Sequence, residues 1–161
     1  MDASSRAQLC RADERAERAR VVAAARAWRG TPYHHMADIP GVGVDCAMIL
    51  VRVFCDLGLV APFDPRPYTK DWFLHRDDER YLGHLLAHAT QVTAPAIGDM
   101  IVFRLGRCFS HGGIVVGTAP LLIVHAFRPA RCVLEEEVLR NAELAERLPD
   151  AKFFSLWEER L

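Results

Sequence analysis

The chain has 161 residues, of which 51% are hydrophobic and 25% are charged, and its formal net charge at pH 7 is −1. This size and composition predict a single globular domain over residues 1–161, large enough to bury a core without disulfide or metal staples. The near-zero net charge gives no electrostatic case for nucleic acid or an anionic membrane surface as a partner.

The cysteine count and the N-terminal residues indicate the cellular compartment in which the chain is synthesised. The five cysteines are odd in number and show no tight framework spacing, which favours a reducing compartment. Charged residues stand near the N-terminus where a signal peptide would be apolar, and the apolar run 21–25 is too short to span a bilayer. We therefore expect synthesis in the cytoplasm without a signal peptide or a membrane anchor.

The first part of the chain predicts a long helix followed by a loop. Residues 5–29 are rich in Ala, Arg and Glu, and Gly30, Thr31 and Pro32 end this helix. Residues 33–44 contain one proline and two glycines and are predicted to form a loop.

Two further helices are predicted. Residues 45–57 carry apolar side chains at helical spacing, with Asp45 as N-cap and Gly58 as C-cap. After a proline-containing loop over residues 59–75, a third helix is predicted over 77–89. Its inward-facing residues are expected to be Tyr81, Leu85 and Leu86.

The second half of the chain changes character. Short β-rich runs separated by Gly and Pro are predicted as strands over residues 100–105, 113–117, 121–127 and 132–134. Residues 135–148 resemble a helix in pattern, and residues 152–157 a closing strand. Helices first and strands later predict an α+β fold, in which an antiparallel sheet packs on the helix that begins near Cys46.

Cys46 is the most informative residue, because it stands where a glycine-bearing loop gives way to a helix. Free backbone N–H groups and the helix dipole favour a thiolate at such a position. His125 falls on a predicted strand, and His111 lies in the β-rich segment 110–117 that contains another predicted strand. A thiolate, a histidine base and a third orienting group are the equipment for attack on an amide carbonyl. We therefore predict Cys46 as nucleophile, His111 as general base and acid, and His125 as the residue that orients His111.

The two histidines are predicted to share one face of a hairpin. If the turn is centred on Thr118, His111 and His125 lie directly opposite one another, about 5 Å apart at Cβ. A slip of one residue in register would send one of them to the other face. Gly112, Gly113 and Gly117 are expected to leave room for close approach of another chain segment.

Residues near the nucleophile are expected to complete the site. The backbone N–H of Cys46 would supply part of an oxyanion hole, and Tyr33 could add a phenolic donor. Of the adjacent His34 and His35, one is expected to line the cleft and the other to be solvated, and His35 is the candidate substrate contact. His84 and His88 have the spacing of a metal pair, but no acidic partner completes the motif, so a solvated helix face is expected.

Five segments together resemble the NlpC-type cell-wall peptidases. In chain order they are Gly30-Thr31-Pro32-Tyr33, Val44-Asp45-Cys46, Gly98-Asp99-Met100-Ile101-Val102-Phe103, Ser110-His111-Gly112-Gly113-Ile114-Val115-Val116-Gly117 and Val124-His125-Ala126. The resemblance implies a papain-like fold and cleavage of amide bonds in peptidoglycan stem peptides, commonly after D-γ-glutamate. It maps the family's catalytic cysteine, histidine and third polar residue onto Cys46, His111 and His125, and its motif tyrosine onto Tyr33.

This resemblance divides the single domain into an N-terminal helix (1–27), the catalytic motifs (28–127) and a C-terminal helix and strand (128–161). Tyr33-His34-His35 with the following loop further resembles the phage-tail and gene-transfer-agent branch, which implies delivery to the cell wall on a particle and tail proteins as partners.

The sequence departs from the usual family motif after the cysteine. The family usually reads Asp-Cys-Ser-Gly, whereas Ala47 and Met48 follow Cys46 here. Since those positions shape the floor of the cleft, substrate preference is open. No cofactor or metal ion is implied.

Three alternatives remain open at this stage. A related papain-like enzyme could transfer acyl groups, although the absence of an anchor counts against a lipid acyltransferase. A secreted antibacterial amidase would share the chemistry and differ in delivery. A non-enzymatic particle protein could use Cys46, His111 and His125 as zinc ligands, although a cysteine at a helix start needs no metal to become reactive.

Overall fold

The computed structural model of the chain describes residues 3–71, 74 and 78–157. The α-helices bounded within the described residues are α1 (Ala3–Ala27), α2 (Met48–Asp56), α3 (Arg80–His88) and α4 (Ala142–Arg147), and short 3-10 helices cover Val138–Arg140 and Leu148–Asp150. The described strands are β1 (Asp38–Ile39), β2 (Gly43–Val44), β3 (Thr90–Val92), β4 (Met100–Leu105), β5 (Cys108–Thr118), β6 (Leu121–Phe127), β7 (Cys132–Glu137) and β8 (Lys152–Ser155). None of the described helices is both long enough and apolar enough to cross a membrane.

A six-stranded sheet in the order β3-β8-β4-β5-β6-β7 organises the described part of the chain, and every neighbouring pair in it is antiparallel. One face packs on α1 and α2, where Val21, Ile49 and Leu50 belong to the larger core cluster. The other face carries Ile101, Phe103 and Val115 against Val138 and Leu144. The expected α+β fold, with the helix that follows Cys46 packed on an antiparallel sheet, is confirmed.

Helix α2 agrees with the sequence pattern. Ile49, Leu50, Val53 and Phe54 are all buried, as their helical spacing requires. Gly58 ends the helix with a φ of +72°, a left-handed conformation that glycine adopts without the steric cost of a Cβ. Its N–H donates to the carbonyl of Cys55 at 3.0 Å, as expected of a C-cap.

Helix α3 is shorter than predicted, and one of its inward residues was wrongly assigned. Leu85 is buried, whereas Leu86 is 47% exposed. Tyr81 and Leu85 are four residues apart and share a face, and the next residue lies about 100° further around the helix. The predicted start of this helix at residue 77 lies outside the described residues, as do residues 158–161 of the C-terminal region.

The helix predicted over residues 135–148 is wrong in its first half. Residues 135–137 continue β7, where their backbones pair with Val124, Ile123 and Leu122 of β6. Pairing along β6 overrides the helical preference of consecutive glutamates. Only α4 is α-helical in this region, and the Asn141 side chain caps it by accepting from the Leu144 N–H at 3.3 Å. Strand β5 is also longer than predicted, and it contains His111.

A bulge in β5 decides which way its side chains point. At the turn, Thr118 pairs with Leu121 and Gly117 with Leu122, but beyond Val116 the register shifts, so that Val115 pairs with Ile123. Side chains alternate between the two faces of a sheet, so one extra residue in β5 switches the face on which His111 lies. Without this extra residue, His111 and His125 would point to opposite faces. The predicted directly opposite arrangement is therefore wrong: His125 lies over Gly113, and the two histidines are diagonal neighbours on one face.

Arg18 joins α1 to the end of β4. Its guanidinium donates to Asp99 Oδ1 at 2.8 Å, to the carbonyl of Ile97 at 3.0 Å and to Glu14 at 2.7 Å. The Asp99 side chain is only 2% exposed, so its ion pair with Arg18 is shielded from solvent.

Replacing Arg18 by Met should lower the free energy of unfolding by about 3 kcal/mol, because the Asp99 carboxylate would remain buried without its cation. Urea denaturation measures the change. Arg15→Met, an exposed position on the same helix, is the matched control and should alter stability by less than about 0.5 kcal/mol. Equal stability of the two variants would contradict this role of Arg18.

Candidate active site

Asp45 organises the start of α2. Its Oδ1 accepts hydrogen bonds from the backbone N–H groups of Ala47 at 3.1 Å and Met48 at 2.9 Å. Its Oδ2 accepts from the N–H of Met36 at 2.7 Å, and the side chain is 2% exposed. Asp45 therefore caps the helix as the sequence predicts, and it also ties the preceding loop to the helix start.

The thiol of Cys46 lies against β5. Its Sγ is 3.5 Å from the carbonyl oxygen of Ser110, and the backbone N–H of Gly112 also interacts with it. These two residues flank His111 in the strand. The structure thus brings the sulfur to the backbone of the strand that carries the predicted base. The His111 side chain shares the sheet face of Phe103, whereas Gly112 faces Leu50 of α2, and among the described residues no hydrogen bond joins the sulfur to His111.

The thiol is not a thiolate at rest. Burial, and secondarily the negative charge of Asp45, raise the pKa of Cys46 to about 12, although nearby backbone N–H groups act in the opposite direction. The expectation that the helix start favours a thiolate is therefore wrong here. The physical reason is first the burial of the sulfur and second the like charge of Asp45, which together outweigh the backbone N–H groups of Gly112, Cys46 and Ala47.

His111 and His125 form a hydrogen-bonded pair, as predicted. Nε2 of His111 is 2.8 Å from Nδ1 of His125. Nε2 of His125 is in turn 2.9 Å from Oε1 of Glu136, which also accepts from the side-chain amide of Asn141 at 2.8 Å. The pair therefore belongs to a longer relay, defined here as His111, His125, Glu136 and Asn141.

The relay dictates the tautomer of each imidazole. The hydrogen bond from His125 lowers the pKa of Glu136, so that this side chain is a carboxylate and can only accept. His125 must then donate through Nε2, which leaves its Nδ1 as the acceptor for the Nε2–H of His111. The remaining nitrogen of His111, Nδ1, carries a lone pair. It is the atom that can take a proton.

The surroundings of His111 keep it neutral. Its ring contacts Phe103 and Phe127, with centroid separations of 6.1 and 5.7 Å, and the residue is 4% exposed. Burial, with a smaller contribution from His125, places the pKa of His111 well below its ordinary value. The resting pair is thus a neutral thiol and a neutral imidazole at pH 7.

A cleft opens over Cys46 and contains two further predicted residues. Tyr33 and His35 both line it, together with Asp45, Ala47, Pro65, Tyr68, Thr69, Arg80, Tyr81, His84 and Ser110. His35 is held by a hydrogen bond between its Nε2 and the carbonyl of Tyr68 at 2.9 Å. His34 is exposed and packs over Gly43, so of the two adjacent histidines His35 is the one that lines the cleft.

Two tyrosines of the site were missed by the sequence analysis. The Tyr68 hydroxyl donates to Asp45, 2.8 Å from Oδ2, and the Tyr81 hydroxyl donates to the carbonyl of Cys46 at 2.8 Å. A Cβ at Gly112 would collide with the Tyr81 hydroxyl, so this glycine makes room for it. Nothing local in the sequence marks either tyrosine, because each reaches the site from a distant segment.

Glu136 was missed for a different reason. Its position was assigned to a helix, on which it could not have faced His125. A strand assignment would have revealed it, because an acid beside an apolar strand that carries a histidine is a candidate partner. Its neighbour Asn141 belongs to the cap of α4 and carries no separate signal.

The expected solvated face at His84 and His88 is only half correct. His88 is exposed, but both rings stack on Phe63, with centroid separations of 5.6 Å for His84 and 4.6 Å for His88. Partial burial and the nearby cations lower the pKa of His84.

Within residues 3–71, 74 and 78–157, no group of three or more His, Cys, Asp or Glu side chains is arranged to hold a metal ion.

The raised pKa of Cys46 predicts a steep pH dependence for its alkylation. Since the thiol is protonated at neutral pH and only the thiolate reacts, the rate with iodoacetamide should rise about tenfold per pH unit between pH 6 and pH 9. Mass spectrometry of the peptide that contains Cys46 gives the rate. A plateau below pH 7 would instead reveal a preformed thiolate–imidazolium pair.

Comparison with known proteins identifies the fold. No protein-family model matches the chain, and no curated protein matches it in sequence. The NlpC/p60 domain of the peptidoglycan hydrolase SagA aligns with a TM-score of 0.55 and 23% identity, over 78% of this chain and 92% of that one. NlpC1 from Trichomonas vaginalis aligns with a TM-score of 0.56 and 18% identity, over 76% of this chain and 40% of that one. The fold is therefore that of NlpC/p60 domains.

Proposed function

We propose that the chain is a cysteine peptidase that hydrolyses amide bonds in peptidoglycan stem peptides. The observation that carries the proposal is the relay, because it leaves the lone pair of His111 Nδ1 free on the strand that the Cys46 thiol contacts. The shared fold with an NlpC/p60 domain of a peptidoglycan hydrolase supports the substrate class. The bond next to D-γ-glutamate, which the sequence resemblance implies, is the specific target proposed.

Acylation begins from the neutral pair. As Sγ of Cys46 attacks the carbonyl carbon of the scissile amide, the thiol proton passes to Nδ1 of His111. Because the pKa of the thiol is raised and that of His111 is lowered, transfer in the empty site is unfavourable, and it becomes coupled to formation of the carbon–sulfur bond. The imidazolium is stabilised through His125 by the charge of Glu136, as in other triads.

The tetrahedral intermediate needs donors for its oxyanion. We assign this role to the backbone N–H of Cys46 and the phenol of Tyr33, which lines the same cleft. Burial raises the pKa of Tyr33 above its ordinary value, so the phenol keeps its proton and can donate it in a hydrogen bond. His111 then protonates the leaving amine as the carbon–nitrogen bond breaks, which leaves a thioester on Cys46.

Deacylation reverses the roles. A water molecule gives a proton to Nδ1 of His111 and attacks the thioester carbon, and the thiol leaves with that proton as the carboxylic acid product forms.

The proposed mechanism requires no metal ion. The nitrogens of His111 and His125 that face one another are hydrogen-bonded, and the second nitrogen of His125 is bonded to Glu136, which argues against a zinc site at these residues.

Delivery is part of the same proposal. We propose that the chain is synthesised in the cytoplasm and carried to the cell wall on a phage-tail or gene-transfer-agent particle, with tail proteins as partners. The support for this delivery route is the resemblance of residues 33–46 to that branch of the family.

Replacing Cys46 by Ala should abolish release of fragments from purified sacculi, with a fall in rate of at least about 10³-fold, because the nucleophile is lost. Mass spectrometry of products from defined muropeptides identifies the bond. Cys132→Ala, at a cysteine of β7 that makes no hydrogen bond to the relay, is the control and should release fragments at the wild-type rate. Equal product from Cys46→Ala and wild type would refute the assignment.

Replacing Glu136 by Gln should lower kcat/KM by roughly 100-fold, because an amide can donate to His125 and so permit the wrong tautomer of both histidines. Glu137→Gln changes the same charge on the adjacent residue of β7, whose side chain points to the other face, and should leave kcat/KM within about twofold. An equal loss of activity in both variants would show that the negative charge on β7 matters and that the hydrogen bond from His125 to Glu136 does not.

A further inference from the structure

An apolar pocket adjoins the catalytic cleft. It has a cavity volume of about 70 Å³ and lies between α2, α3 and the loop that joins them. Its walls are almost entirely carbon, from side chains that include Leu50, Phe54, Phe63, Leu85, Met100 and Leu156. Such a pocket offers a water molecule few hydrogen-bond partners, so an apolar group would occupy it more favourably than water.

The pocket is joined to the cleft by shared walls. Ala47, Pro65, Tyr81 and His84 line both spaces. Ala47 directly follows the nucleophile, and its methyl group presents carbon where the resembled motif has a serine hydroxyl. A substrate held with its carbonyl at Cys46 therefore lies next to Ala47, whose side chain also lines the apolar pocket.

The two spaces differ in the chemistry that they present. The cleft carries the Asp45 carboxylate and the tyrosine hydroxyls that bond to Asp45 and to the Cys46 carbonyl. In the pocket, the rings of His84 and His88 stack on Phe63 among mainly apolar side chains. The peptide backbone of a substrate suits the cleft, and a hydrocarbon side chain suits the pocket.

We propose that this pocket is a specificity subsite for a short aliphatic side chain of the substrate, up to about the size of leucine, near the bond that is cleaved. The proposal rests on the proposed peptidase function and adds a requirement on the substrate. Size decides the class of ligand: a cavity of about 150 Å³ holds benzene, so a cavity about half as large holds a small branched chain and not a long acyl chain.

The test uses thiol reagents that carry side chains of different size, so it does not depend on peptidase activity. Iodoacetamide, N-isobutyl iodoacetamide and N-octyl iodoacetamide are compared on the whole chain, and mass spectrometry gives the labelling rate at Cys46. The wild type should react about 10-fold faster with the isobutyl reagent than with iodoacetamide, and the octyl reagent should gain no more than the isobutyl one.

Val51→Phe fills the pocket from α2, and Asp56→Phe places the same ring on an exposed position of that helix. The first variant should lose the isobutyl preference while keeping its rate with iodoacetamide, which also reports an intact site. The second variant should keep the preference. No preference in the wild type, a preference that survives Val51→Phe, or a strong gain with the octyl reagent would each overturn the subsite.

Hydrolysis of peptides separates this inference from the proposed function. If the wild type hydrolyses stem peptides but Val51→Phe leaves its preference among aliphatic neighbours unchanged, the subsite is wrong and the peptidase stands. If no peptide is hydrolysed while the labelling preference persists, the subsite stands and the peptidase assignment fails.

Discussion

The hydrogen bond between His125 and Glu136 is the constraint on which the chemistry of this site depends. A carboxylate can only accept, so it fixes the proton on Nε2 of His125, and that choice passes through Nδ1 to His111. The consequence is a single free lone pair on His111. Asn141 reinforces the arrangement because it donates to the same carboxylate oxygen while it caps α4.

The start of α2 shows how one residue can change the electrostatics of its neighbour. A helix N-terminus is a source of positive potential, and Cys46 stands beside it. Asp45 accepts hydrogen bonds from two backbone N–H groups there, and burial of the sulfur, with the charge of Asp45 second, raises the pKa of the adjacent thiol. The helix start therefore stabilises the loop before it, and in the proposed mechanism His111 and the substrate activate the sulfur.

The residues that surround the sulfur come from widely separated segments. Tyr81 in α3 reaches the carbonyl of Cys46, and this approach requires Gly112 in β5 to lack a side chain. Tyr68, in the loop before α3, bonds to Asp45. The same loop and helix line both the polar cleft and the apolar pocket, so the residues that hold the start of α2 in place also shape the two spaces beside Cys46.

Much of this could be derived from the sequence. The helical spacing of Ile49, Leu50, Val53 and Phe54 determined α2, and the β-rich runs determined β4 and β6, because those patterns are local consequences of burial on one face or both. The position of Cys46 between a glycine loop and a helix, with two histidines on later strands, was sufficient to name the candidate residues.

Only the tertiary structure decided how these residues are arranged. The bulge at Val116 sets the facing of the histidines, strand pairing turns Glu136 from a presumed helix residue into their partner, and burial raises the pKa of the thiol. Register, pairing and desolvation depend on segments far apart in the chain, which a local pattern does not encode.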